Sequence, residues 1–118
     1  MSDDIRDITI IGAGPVGMTP AFWAGRREAT SQIIDSLPEL GGQLTTLYPE
    51  KWIFDVPGFP RILAKDLVED LRKQSIEQFD VPVSLETTAD RVEYEDAEGE
   101  RVLRLVTDKG DFLSRTIV

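Results

Sequence analysis

The chain has 118 residues, of which 41% are hydrophobic and 30% are charged, and it carries a formal net charge of −9. These values predict one globular domain, exclude a wholly disordered chain, and argue against nucleic acid and anionic membranes as partners. The sequence contains neither cysteine nor histidine, which excludes disulfides and the usual metal ligands, so we expect no metal site.

The first predicted elements form a strand–helix–strand unit. Asp7 to Ile11 is rich in β-branched residues and is typical of a buried parallel strand. A helix is expected from Pro15 to about Glu28 and a second short strand from Gln32 to Asp35. Pro20 lies inside the predicted helix, where its ring removes an N–H donor at a cost of about 3 kcal/mol. The expected apolar face of the helix comprises Val16, Met18, Phe22 and Trp23.

Residues 36–63 differ from the segments on either side. Glycine and proline residues, among them Gly41, Gly42, Pro49, Pro57, Gly58 and Pro60, are expected to break every regular element there, which predicts a long irregular loop. The loop is also dense in large side chains that we expect to pack against something: Leu40, Leu44, Leu47, Tyr48, Trp52, Ile53, Phe54, Val56 and Phe59. Loops of this length in compact domains are usually functional.

Regular structure is predicted again after this loop. Helical spacing runs from Ala64 to Phe79, and a third short strand is expected from Val81 to Leu85. An antiparallel meander follows, with strands at Arg91–Glu95, Val102–Thr107 and Asp111–Val118. The apolar pattern of the last strand stops with the chain, so we expect it to leave a sheet edge and helix faces uncovered, which would favour self-association.

A glycine-rich loop connects the first strand to the first helix. Its sequence, Gly-Ala-Gly-Pro-Val-Gly, matches Gly-x-Gly-x-x-Gly, and its candidate binding residues are Gly12, Gly14, Pro15, Val16 and Gly17. Gly12 would allow the tight turn, Gly14 would let the backbone approach a pyrophosphate, and Gly17 would let the helix pack closely on the strand. The helix N-terminus would then hold the phosphates.

Asp35 lies at the end of the second strand, 18 residues beyond Gly17, where a carboxylate can accept hydrogen bonds from a ribose diol. An acid there would repel a 2′-phosphate, so this site should not prefer NADP. The motif itself does not distinguish FAD from NAD, because both contain adenosine diphosphate. The meander after the third βα unit and the second glycine pair with aromatics in residues 36–63 favour FAD.

Three segments, Ile10–Gly17, Leu40–Leu44 and Leu47–Pro60, closely resemble the thioredoxin-reductase-like ferredoxin–NADP reductases. The resemblance covers essentially the whole chain and is most specific across residues 40–60. Thioredoxin reductases share the glycine motif, the Gly-Gly-Gln and the Pro-Gly segment but lack the Tyr-Pro-Glu-Lys stretch. The resemblance implies an α/β fold, a truncated Rossmann-like FAD-binding domain in which a parallel sheet with helices is joined to an antiparallel β-meander.

The resemblance also implies binding roles for particular residues. Asp35 would hold the adenosine ribose, and a backbone group near Thr88 would meet the adenine. The pyrophosphate and ribityl chain would be lined by Gly41, Gly42 and Gln43. Tyr48 would stack on the isoalloxazine ring and Asp55 would lie near its polar edge. Without the resemblance, Tyr48 could equally pack within the loop and Asp55 could be a turn residue.

The implied activity is electron transfer from NADPH through FAD to ferredoxin, with no catalytic protein side chain because the flavin does the chemistry. Residues 1–118 would be the N-terminal part of the FAD-binding domain of a cytoplasmic homodimer, with the NADPH site outside this chain. The chain alone would then bind FAD weakly and be inactive. The alternatives are the FAD-binding part of a thioredoxin reductase or related pyridine-nucleotide-disulfide oxidoreductase, and a truncated, non-catalytic nucleotide-binding module.

Overall fold

The computed structural model describes residues 4–118. A π-helical segment, Arg72–Glu77, continues the third helix, so that helical backbone extends from residue 64 to residue 79 as the sequence predicts. In chain order the elements are β1 Ile5–Ile11, α1 Pro15–Arg26, β2 Ser31–Ile34, α2 Gln43–Thr46, β3 Trp52–Ile53, β4 Ile62–Leu63, α3 Ala64–Leu71, β5 Val83–Ser84, β6 Ala89–Ala97, β7 Glu100–Thr107 and β8 Gly110–Ile117.

Six strands form one sheet in the order β5-β2-β1-β8-β7-β6. The pairs β5–β2, β2–β1 and β1–β8 are parallel, whereas β8–β7 and β7–β6 are antiparallel. The short strands β3 and β4 form a separate antiparallel pair. The predicted α/β class, a parallel Rossmann-like sheet followed by an antiparallel meander, is therefore confirmed.

The last strand lies inside the sheet, between β1 and β7. Its end is paired with β1: the N–H of Val118 donates to the carbonyl of Thr9 and the N–H of Ile11 donates to the carbonyl of Val118, each at 2.9 Å. The expectation that this strand leaves an open sheet edge is wrong. Within residues 4–118 the edges of this sheet are β5 and β6, because the meander folds β8 back onto β1.

The helix α1 contacts the sheet mainly through small residues. Met18, Ala21 and Ala24 are its buried residues, and Ala21 belongs to a core cluster with Ile10 and Ile33. The apolar face predicted from the sequence is correct only in part, because Val16 is 86% exposed and Trp23 is 57% exposed. Met18 and the small Ala21 and Ala24 make the buried contact, whereas Val16 and Trp23 lie outside it in solvent.

Residues 36–63 are less irregular and less buried than the sequence predicts. They contain the one-turn helix α2 and the β3–β4 pair, although glycine and proline punctuate the segment. Leu40 packs against the core cluster. Most of the large side chains do not pack within residues 4–118, because the following are exposed: Leu47, Tyr48, Trp52, Phe54 and Phe59.

The carboxylate of Asp7 joins three strands. Its Oδ2 accepts the N–H of Thr30 at 2.8 Å, just before β2, and its Oδ1 accepts a guanidinium hydrogen bond from Arg115 in β8 at 2.9 Å. The backbone bond from Thr30 is the main reason that the pKa of Asp7 lies below its usual range. Because this pKa is depressed in the folded state, the stabilisation is complete above the unfolded pKa and is lost as the pH falls through the folded value.

Pro20 lies in the middle of α1, and the helix continues on both sides of it. The ring leaves the carbonyl of Val16 without its i+4 donor, so Pro20→Ala is expected to raise the free energy of unfolding by up to about 3 kcal/mol. Thermal unfolding followed by circular dichroism measures the change. An unchanged or lower melting temperature would show that the helix accommodates the ring at no cost.

Candidate cofactor-binding site

The turn after β1 is held by backbone hydrogen bonds. The N–H of Gly12 donates to the carbonyl of Ile34 at 2.8 Å, with Gly12 in a left-handed conformation at φ +119°. The carbonyl of Gly14 then accepts the N–H groups of Gly17 and Met18 at 3.0 and 2.9 Å, which begins α1. The glycine-rich loop therefore leads directly from the carboxyl end of a central parallel strand into a helix N-terminus.

The second and third glycines of the motif face different surroundings. A Cβ added to Gly17 would overlap the carbonyl oxygen of Gly12, so the protein's own packing requires glycine there. A Cβ added to Gly14 would meet nothing closer than the carbonyl oxygen of Gly41 at 3.9 Å, and Gly14 has φ −81°, which any residue can adopt. Nothing within residues 4–118 requires glycine at position 14, which is the expected property of a residue that leaves space for a ligand.

The loop presents free donors at this place. No acceptor within residues 4–118 receives the N–H groups of Gly14 and Val16. Pro15 occupies the first helical position, and the first turn of α1 contains no acidic side chain. Free amides and the positive end of a 12-residue helix together suit a diphosphate.

Asp35 follows β2 and lies beside the glycine-rich loop. Its Oδ2 accepts the N–H of Ala13 at 2.7 Å and its Oδ1 accepts the N–H of Leu37 at 2.9 Å. Each carboxylate oxygen can accept a second hydrogen bond, so two acceptor positions are left for a ligand. We use the name Asp35 cavity for the space of about 300 Å³ lined by Ile11, Gly12, Asp35, Ser36, Thr87, Thr88 and Ala89.

Thr88 lies on the wall of the Asp35 cavity, but its backbone is already engaged. The N–H of Thr88 donates to Oδ1 of Asp108 at 2.8 Å, and the carbonyl of Thr88 accepts the N–H of Asp108 at 3.2 Å. The carbonyl oxygen is thus the backbone atom that can accept a further hydrogen bond. The predicted contact with adenine stays a prediction.

The Gly41–Gln43 segment lies against the glycine-rich loop. The N–H of Gly41 donates to the carbonyl of Ala13 at 2.8 Å. Gly41 and Gly42 have φ values of +102° and +58°, and a Cβ on Gly42 would lie 3.5 Å from the Cα of Gly14. The two glycine segments thus lie backbone to backbone, and Gln43 continues from this contact towards the next cavity.

A second cavity, of about 420 Å³, brings the remaining predicted residues together. This Tyr48 cavity is lined by Gln43, Leu44, Tyr48, Lys51, Trp52, Ile53, Phe54 and Asp55. The ring of Tyr48 is half-exposed, and the Lys51 ammonium nitrogen lies 5.2 Å from its centroid. A half-exposed aromatic ring in a mostly apolar cleft suits a flat ring system. Sequence reasoning used Lys51 only as the last residue of the Tyr-Pro-Glu-Lys stretch and gave it no place in the site.

The residues present fit FAD. The Asp35 cavity includes Gly12, the free amides follow in the same loop, and the Gly41–Gln43 segment joins that loop to the Tyr48 cavity. The Asp35 cavity, the free amides and the Tyr48 cavity therefore follow one another along the molecule. Within the described part of the chain, no cluster of acidic residues could hold a metal ion, and no helix is long and apolar enough to cross a membrane.

Curated proteins similar to this chain are named ferredoxin–NADP reductases. One from Enterococcus faecalis is 52% identical over 120 residues. The alignment covers all of this chain and 34% of that protein. Another, ferredoxin–NADP reductase 2 of Bacillus licheniformis, is 50% identical over 114 residues, with 97% of this chain and 33% of that protein covered. The chain thus spans about a third of the length of the relatives it matches, and the resemblance seen in the sequence is confirmed.

Solved structures show the same fold. Thioredoxin reductase from Streptococcus pyogenes superposes with a TM-score of 0.81 at 26% identity, over 98% of this chain and 35% of that one. A flavin monooxygenase from Stenotrophomonas maltophilia superposes with a TM-score of 0.72 at 21% identity, over 97% of this chain and 37% of that one. No protein-family model matches the chain.

Proposed function

We propose that this chain is the FAD-binding portion of a flavoprotein oxidoreductase that moves electrons between NADPH and ferredoxin. The observation that carries the proposal is the contrast between Gly17, which the protein's own packing requires, and Gly14, which only a ligand would require. Curated relatives about 50% identical over this whole region are named for that reaction. The solved structures that share this fold support the fold of the chain but do not support a particular electron partner.

The proposed binding mode follows the order of the site. Asp35 accepts the hydroxyls of the adenosine ribose with its two remaining acceptor positions, and the carbonyl of Thr88 faces the adenine. The amides of Gly14 and Val16 hold the diphosphate. The ribityl chain passes Gly41, Gly42 and Gln43, and the ring lies against Tyr48 with Asp55 near its polar edge.

When bound, FAD would supply the redox chemistry, accepting a hydride and releasing single electrons. The residues of this chain bind and orient it, and none of them acts as an acid, base or nucleophile. We place the NADPH site, ferredoxin docking and the contacts of a homodimer in the larger part of the protein that this chain's relatives possess and this chain does not span. We further propose a cytoplasmic location for the complete enzyme.

A chimeric enzyme tests the proposal. This chain replaces the matching third of the Enterococcus faecalis relative, to which it is 52% identical. We expect the chimera to purify with stoichiometric FAD. It should reduce ferredoxin with NADPH at a rate within about tenfold of the parent's rate, which corresponds to a change of at most about 1.4 kcal/mol in the activation barrier. The flavin is quantified by its absorbance after release from the denatured protein.

Two controls make the outcome decisive. The unmodified parent shows the full rate, and a chimera carrying Gly14→Ala should bind FAD at least about tenfold more weakly than the unsubstituted chimera. A folded chimera that lacks FAD, or one that holds NAD in place of FAD, would contradict the proposal. A chimera that is loaded with FAD but does not reduce ferredoxin, beside a fully active parent, would contradict the assignment to ferredoxin–NADP reductases.

Tyr48→Ala in the chimera tests the ring contact. Stacking on an aromatic side chain contributes about 0.5–1.5 kcal/mol beyond area burial, so FAD affinity should fall by about two- to tenfold. Flavin emission should brighten, because the quenching ring is removed. Fluorescence titration measures both quantities, with Tyr48→Phe as the control that keeps the ring. Unchanged emission and affinity in Tyr48→Ala would show that Tyr48 only packs within its loop.

A further inference from the structure

The backbone of Ala13 is held on both sides of its Cα. The N–H of Ala13 donates to Oδ2 of Asp35 at 2.7 Å, and the carbonyl of Ala13 accepts the N–H of Gly41 at 2.8 Å. Ala13 is fully buried, and Gly41 is buried as well. Two segments that are 22 and 28 positions away from Ala13 therefore meet at one residue of the glycine-rich loop.

We propose that Asp35 is a positioning residue for the whole site: through Ala13 it fixes both the glycine-rich loop and the Gly41–Gln43 segment, and so couples the Asp35 cavity to the Tyr48 cavity. This role goes beyond contact with a ribose, because it operates before any ligand binds. It rests on the proposed function only in naming the ligand as a nucleotide diphosphate.

The physical basis is that one residue is fixed at both of its backbone polar groups. The charged Oδ2 of Asp35 holds the N–H of Ala13 in a strong hydrogen bond, which restricts the backbone of this residue. Asp35 thus keeps the Ala13 carbonyl in the position where it accepts the N–H of Gly41. Without the carboxylate, the buried N–H of Ala13 would lose its partner, and unsatisfied buried donors are costly.

Asp35 is itself well fixed. Its N–H donates to the carbonyl of Ser84 at 3.0 Å, and its own carbonyl accepts the N–H of Thr87 at 2.9 Å. Its Oδ1 also accepts the N–H of Leu37, so both carboxylate oxygens have defined directions. A hydroxyl pair that binds the two remaining acceptor positions would restrict the carboxylate further and, through Ala13, the Gly41–Gln43 segment.

Amide hydrogen exchange of the ligand-free chain tests the positioning role. In Asp35→Ala, the amide of Ala13 should lose about tenfold or more of its protection, the scale expected for a hydrogen bond to a charged group. The amide of Gly41, whose acceptor is the Ala13 carbonyl, should lose protection together with it. The amide of Ile33 in β2 reports global opening and should be unchanged. If Asp35→Ala unfolds the chain, Asp35→Asn is measured instead: its neutral oxygen should lower the protection of both amides by a smaller factor, and a loss at Ala13 alone, or at neither residue, overturns the proposal.

Asp7→Asn is the matched control. Asp7 also accepts a backbone N–H with its carboxylate, from Thr30 at 2.8 Å, but it lies at the start of β1 away from both cavities. This variant should lower protection at Thr30 and leave Ala13 and Gly41 unchanged. If Asp35→Ala frees Ala13 but leaves Gly41 protected, the proposal is overturned.

ADP, which has the ribose and diphosphate but no flavin, tests the coupling. In the wild-type chain ADP should raise the protection of the Gly41 amide, and in Asp35→Ala it should not, even at concentrations that shift the Gly14 amide resonance. ADP that binds the wild-type chain without changing Gly41 would overturn the coupling. Failure of ADP to bind at all would contradict the proposed function and leave the ligand-free exchange result to decide the positioning role.

Discussion

The Gly14→Ala variant is expected to fold as stably as the wild-type chain and to lose at least about tenfold in FAD affinity, or about 1.4 kcal/mol. Its added methyl group would meet no protein atom closer than 3.9 Å, and its φ of −81° is open to alanine. The diphosphate is proposed to lie beside Gly14, on the free amides of Gly14 and Val16, so the added methyl group would restrict its approach.

Fluorescence titration with FAD, in the chimera or in the chain itself, measures this affinity, and thermal unfolding measures the stability. Stability that falls together with affinity would remove the ligand-specific interpretation of Gly14. Unchanged affinity at full stability would show that the diphosphate does not approach this residue.

The Gly17→Ala variant is expected to give the opposite pattern, a large loss of stability. Its Cβ would overlap the carbonyl oxygen of Gly12, a backbone atom in a turn that also hydrogen-bonds to β2. Overpacking against an immobile neighbour costs about 3 kcal/mol, which corresponds to a melting temperature lower by roughly 10 °C or more for a domain of this size. A melting temperature within a degree of the wild type would show that α1 can move away from the strand.

Local sequence signals were sufficient to predict the strand, loop and helix at the start of the chain. The β-branched run before Gly12, the Gly-x-Gly-x-x-Gly spacing and Pro15 at the first helical position each act over a few residues, so they can be read without the fold. The extent of the helical region from residue 64 to residue 79 and the three meander strands were predicted for the same reason. The sheet order was not deduced from the sequence, because the pairing of β8 with β1 joins residues about 108 positions apart.

Residues 36–63 were predicted least well. Glycine and proline indicate where the backbone turns, but they do not show that Trp52 and Ile53 pair with Leu63 and Ile62, or that the large side chains face a cavity. The sequence placed Tyr48 and Asp55 in the site only through resemblance to a family. The contacts of Asp35 with Ala13 and of Ala13 with Gly41 had no sequence signal at all, since they depend on backbone groups that every residue possesses.

Chemical-shift mapping with ADP and FAD most directly tests the central claim, that one continuous site runs from the Asp35 cavity to the Tyr48 cavity. It detects weak binding as well as tight binding, so it does not depend on the affinity of the 118-residue chain. We expect ADP to shift the amides of Gly14, Val16, Asp35 and Thr88, and FAD to shift these together with Gln43, Tyr48 and Asp55. Shifts confined to the meander strands, or identical shifts with ADP and FAD, would contradict the account.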